Sequence, residues 1–204
     1  MNRGIDFYGK IMVNNRGVQM KKGTLNKNTV IAFAVIVIFM TVIWLFSEKS
    51  ISYSEPQEAI FAVEKDLELI PAYKINSNAL FFFIKNKNNL GATYVRKGLC
   101  GWKADFLTWG PMDNKRNYEK LNGYQGYGEN LLFGVIKDGD DRLLQLDDKN
   151  ATILNLEMLP AEVLEEYQLK GLYIWYFESD TALEEGTIKL INKSTEEVLD
   201  EIDL

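Results

Sequence analysis

The chain has 204 residues, 47% hydrophobic and 25% charged, the balance of a folded globular protein rather than a disordered one. A formal charge of −6 and a pI near 4.9 argue against nucleic acid as a partner. One cysteine and no histidine exclude an intrachain disulfide, Ser-His-Asp and Cys-His nucleophile systems, and histidine-ligated zinc.

Residues 1–28 form a basic tail, with Arg3, Lys10, Arg16, Lys21, Lys22 and Lys27 against Asp6 alone. Within it, Met20-Lys21-Lys22 reads as the start of a bacterial export segment. Arg16-Gly17-Val18 reads as translated ribosome-binding sequence, so Met20 is the expected native start and residues 1–19 are expected not to be native. Residues 29–46, TVIAFAVIVIFMTVIWLF, follow without a charge, proline or glycine. An apolar run of this length predicts a transmembrane helix, with Trp44 at the interface. It is longer than a signal-peptide core, and no Ala-x-Ala follows, so an uncleaved signal-anchor is expected. Residues 47–204 hold 17 basic and 28 acidic residues, net −11. Basic flanks stay inside, so the N-terminus is expected in the cytoplasm and the C-terminal part outside the cell membrane.

Residues 47–53 read as a polar stalk, and residues 54–204 as one α+β domain: an opening helix, then a mostly antiparallel β-sheet or sandwich. Ser54-Glu55-Pro56-Gln57 resembles a capping box, and Ile60, Val63, Leu67 and Ile70 fall on one helical face, with Pro71 as the stop. Ala79–Lys85 is a nearly continuous apolar run and predicts a central strand. Ala92–Lys97 is the next strand. From Cys100 the residues alternate, which places Cys100, Trp102 and Phe106 on one buried face and makes Cys100 a small core residue rather than a redox thiol. Further strands are expected at 131–137, 142–146, 152–157, 172–178, 187–192 and 198–202. Residues 172–177 are apolar on both faces and should be central. A short helix is expected at 160–168, with Gly171 beyond its end.

The stretch 110–130 is the least regular. Its Tyr118, Tyr124 and Tyr127, with the nearby Trp109, are candidate binding residues, because aromatic rings among glycines can stack on a sugar or anchor a peptide. The same rings could instead cap the open end of a sheet. Asp138, Asp140 and Asp141 form an acidic turn whose oxygens would suit calcium, although the EF-hand spacing is absent and Asp-Gly is a common turn pair. No P-loop, dinucleotide fingerprint or Ser-x-x-Lys motif occurs, so no cofactor and no catalytic residue is assigned.

Four segments carry a family resemblance: Ser54–Ile60 (SEPQEAI), Lys97-Gly98 with Gly101-Trp102-Lys103, Gly134-Val135-Ile136 and Trp175-Tyr176-Phe177. In this order they resemble small membrane-anchored extracytoplasmic proteins of Gram-positive, Bacillus-type bacteria, in which a helix precedes a β domain carrying a Gly-Trp-Lys strand. The resemblance implies a location, not an activity. The expected role, from a sheet edge that can accept a partner strand and the tyrosines of 110–130 as anchors, is binding of a protein or cell-envelope component by a single-pass membrane protein. A cell-envelope hydrolase using Asp/Glu carboxylates and a regulatory partner of another membrane protein are the alternatives.

Overall fold

A computed structural model describes residues 26–204. Most of the basic tail, including Met20, lies outside the described residues. The described chain contains the helices α1 (Lys27–Ser50) and α2 (Pro56–Val63), then the strands β1 (Leu67–Ile75), β2 (Asn78–Lys85), β3 (Asn89–Lys97), β4 (Trp102–Ala104) and β5 (Thr108–Pro111). There follow β6 (Gln125–Tyr127), β7 (Leu131–Lys137), β8 (Arg142–Leu146), β9 (Lys149–Asn150) and β10 (Thr152–Asn155). The chain ends with α3 (Ala161–Glu166), β11 (Leu172–Glu178), β12 (Thr187–Asn192) and β13 (Val198–Asp203).

Helix α1 is long and apolar enough to cross a membrane, and none of its residues is buried. Its 24 residues extend about 36 Å, against a hydrocarbon core of about 30 Å.

Residues 44–204 form a separate compact unit. All its strand pairs are antiparallel, in three sheets: β1-β2-β3 with β4 and β5 side by side along the outer edge of β3, then β10-β11-β7-β6, and β13-β12-β8-β9. The sheets stack through their side chains. Leu80, Phe82 and Ile84 of β2 pack on Phe133, Val135, Ile174 and Tyr176 of the second sheet. Phe82 meets Phe133 and Tyr176 at ring-centroid distances of 5.3 and 5.4 Å. The opposite face of that second sheet, with Leu132, Ile136, Trp175 and Phe177, packs on Leu144, Leu146, Ile188 and Leu190 of the third. Ala59 and Ile60 of α2 cover Ala79, Phe81 and Phe83 on the outer face of the first. This layering explains why β2, β7 and β11 are apolar at successive positions, since each is buried on both faces.

The opening helix is shorter than its periodicity predicts. It ends at Val63, where Glu64 turns extended, and Leu67 and Ile70 belong to β1. Spacings of three and four fit a helical face, yet Leu67 and Leu69 also fit a strand, and full-length pairing of β1 with β2 decides between them. The N-cap is Glu55, one residue later than Ser54. Glu58 closes the turn, accepting from the Glu55 N–H at 3.3 Å and the Ser54 hydroxyl at 2.9 Å. Pro71 interrupts no inner ladder because β1 is an edge strand.

Cys100 is also corrected. It lies in a bend before β4 and is half-buried, while Phe106 is 63% exposed. The predicted shared face fails because β4 has only three residues. Gly101, at φ +144°, brings Trp102 against Tyr53, and the two exchange backbone hydrogen bonds of 2.9 and 2.8 Å. Trp102 alone of the three is buried. The strand expected at 152–157 stops at Asn155, whose side chain accepts from the Glu157 N–H and caps a short 3₁₀ turn.

Candidate functional site

A β-bulge creates the first site. The pairing of β1 with β2 shifts between Pro71 and Tyr73, leaving Ala72 as the extra residue. Ile70 therefore faces Phe82, and Tyr73 faces Leu80, on the same side of the sheet. Without the bulge, residues three apart would point to opposite faces. Tyr94 of β3 is the other neighbour of Leu80, so the two tyrosines flank it in one row. Glu178, the last residue of β11, meets them from the second sheet. Both phenols donate to its Oε1, each at 2.7 Å.

Burial first, then the Glu178 carboxylate, drive both phenols well above the ordinary tyrosine range, so they remain donors. Among the described residues no side chain bonds Glu178 Oε2, which leaves that oxygen for a ligand. Two clefts of about 770 and 620 Å³ share Tyr73, Asn78 and Glu178. The first adds Asn76, Ser77, Lys149, Asn150 and Thr152, and the second Arg96, Asn130 and Ser179. The walls thus offer amides and hydroxyls beside the Glu178 carboxylate, with Lys149 in the first cleft and Arg96 and Asp180 in the second.

The stretch 110–130 is irregular but tied down. Asp113 accepts from the N–H groups of Lys115 and Asn117, which holds its carboxyl below the usual range. Arg116 donates to the carbonyls of Tyr167 and Lys87. Glu119 takes Lys137 on one oxygen and Arg142 on the other, each at 2.8 Å, and its pKa is lowered by both. The Leu121 N–H reaches Asp200 of β13 at 2.9 Å.

The four aromatic candidates separate. Tyr127 is buried, stacked on Phe106 at 4.2 Å and edge-on to Tyr94. Burial pushes its phenol up to about 12. Tyr118 is buried, and its hydroxyl accepts from the Asp113 N–H at 2.8 Å. Trp109 is 47% exposed on β5, with the Lys85 ammonium 4.2 Å from its ring centroid. Tyr124 is 36% exposed and lines, with Tyr118, a separate cavity of about 320 Å³. Of the acidic turn, Asp140 accepts from the Tyr173 hydroxyl at 2.6 Å, and Lys193 binds the Asp140 carbonyl at 2.7 Å. Among the described residues no group of three or more acidic, histidine or cysteine side chains is arranged to hold a metal.

Tyr73, Tyr94 and Glu178 were not singled out by sequence reasoning. The one local signal was the charge closing the apolar run of β11. The chain matches no family model, no curated protein and no solved structure.

Proposed function

We propose that this is a single-pass membrane protein, N-terminus inside, whose extracytoplasmic domain binds an envelope component in the clefts around Glu178. The observation that carries the ligand class is the wall chemistry. The Glu178 carboxylate with one oxygen open, two neutral phenols and several amides, flanked by Lys149, Arg96 and Asp180, suit a hydroxyl- and amide-bearing glycan better than an apolar ligand. Both clefts fall within the usual size range of ligand sites, about 300–1,000 Å³. The role is binding, not catalysis. The apolar helix and the charge asymmetry of its flanks support the location.

Retention of the detergent-solubilised full chain on isolated cell-wall sacculi tests the reading. Glu178→Gln keeps the shape and removes the charge. A hydrogen bond to a charged group contributes about 1.5–3 kcal/mol, so affinity should fall by roughly 10- to 100-fold. Lys189→Ala, in the third sheet, should retain full binding. Absence of retention by the native chain, or equal retention of Glu178→Gln, contradicts the proposal.

A further inference from the structure

The outer end of α1 is fastened to the domain. Residues 44–50 belong to the same compact unit as residues 51–204. Of the described residues of α1, Glu48 alone is not exposed. Its carboxylate takes the Lys103 ammonium at 2.5 Å, and its backbone carbonyl accepts from the Ser52 hydroxyl at 2.7 Å. The turn between β3 and β4, residues 98–101, lies against the same side chain: a Cβ on Gly98 would stand 3.5 Å from Glu48 Oε1. The Gly98 N–H closes this turn on the Gly101 carbonyl at 2.8 Å, with Gly101 at φ +144°. Leu99 stands at its tip, 82% exposed. Glu48 is two residues beyond Phe46, the last of the apolar run, or about 3 Å along the helix axis. A single exposed leucine needs no explanation on a face turned to water. This one, with α1 as the anchor, stands at the height of the lipid headgroups. Its surroundings leave lysines free, although residues 47–204 carry a net −11. Glu48 is taken by Lys103, and Asp105 by Arg96 at 3.3 Å. Lys49 and Lys97 are exposed and make no ion pair among the described residues.

We infer, resting on α1 as the proposed anchor, that the 98–101 turn is a second membrane contact: Leu99 enters the bilayer interface, and Lys49 and Lys97 bind the phosphates of anionic lipids. Moving a leucine side chain out of water favours docking at least roughly tenfold. Each lysine at an anionic surface adds on the order of fivefold. The tether makes the contact intramolecular, so these modest terms suffice. Docking at the turn fixes one orientation of the domain on the membrane. It does not depend on what the Glu178 clefts bind.

The test uses the purified full chain in vesicles of phosphatidylcholine and phosphatidylglycerol. Cys100→Ser removes the sole thiol, and a nitroxide spin label is placed through Leu99→Cys or, as control, Glu162→Cys on α3. Both sites are exposed, so neither change disturbs the core. Electron paramagnetic resonance compares collisions of the label with oxygen, which concentrates in lipid, and with a water-soluble nickel chelate. Oxygen should dominate at position 99 and the chelate at position 162. Lys97→Gln should lower the ratio of immersed to aqueous label at position 99 on the order of fivefold. Flotation of the vesicles separates the two readings. A chain that does not float with them overturns the anchor and this inference together. A chain that floats, with position 99 as open to the chelate as position 162, overturns this inference alone. A ratio unmoved by Lys97→Gln overturns the role given to the lysines.

Discussion

Trp175→Ala is expected to cost about 3–5 kcal/mol of stability, the range for deleting a large buried aromatic side chain. Trp175 is fully buried on the middle strand pair of the middle sheet. Its ring packs on the third sheet and meets Phe177 at 5.8 Å, so its loss opens a cavity where two layers join. Its register partner on β7 is Gly134, and a Cβ there would come within 2.6 Å of the indole. The ring occupies space that the glycine vacates. The indole N–H has no partner among the described residues. Trp175→Phe should therefore cost less than the alanine variant, because it removes an unsatisfied donor while keeping a ring. Urea denaturation of the purified chain measures both. An alanine variant within 1 kcal/mol of the native chain would mean that the second and third sheets do not share this core.

The other large effect concerns α1. Its apolar run contains twelve Val, Ile, Leu and Phe residues. At about 0.3–0.6 kcal/mol each they favour insertion by on the order of 4–7 kcal/mol. A lysine at the helix centre costs about 2.5–3.5 kcal/mol. Val37→Lys with Ile38→Lys should cancel the gain and release the chain from membranes under alkaline carbonate extraction, while the native chain stays in the pellet. Retention of the double variant, or extraction of the native chain, would show that α1 is not the anchor.

The parts of the fold legible in the sequence are those with a two-sided pattern. β2 and β11 read as central strands because no polar residue interrupts their apolar runs, and stacked sheets require that. The helical pattern overruns because Leu67 and Ile70 continue its three-and-four spacing while Leu67 and Leu69 equally fit a strand, and only pairing with β2 resolves them. Cys100 falls outside the expected face because alternation over the seven residues from Cys100 to Phe106 does not reveal a bend at Gly101. The Glu178 site was hidden for a deeper reason. It needs one extra residue at Ala72 to turn Tyr73 inward, and a partner 105 residues away. The aromatic loop was visible as composition, but which rings would be buried depended on long-range anchors such as Glu119 with Arg142.

The central claim is a folded domain displayed on the outer side of the membrane. Its most direct test is labelling of intact cells with a membrane-impermeant maleimide. The variant carries Cys100→Ser, which removes the sole native thiol, and Glu162→Cys on the exposed face of α3. Labelling in intact cells equal to that in lysed cells is the predicted result. A thiol protected in intact cells and labelled only after lysis would place the domain in the cytoplasm and contradict the account.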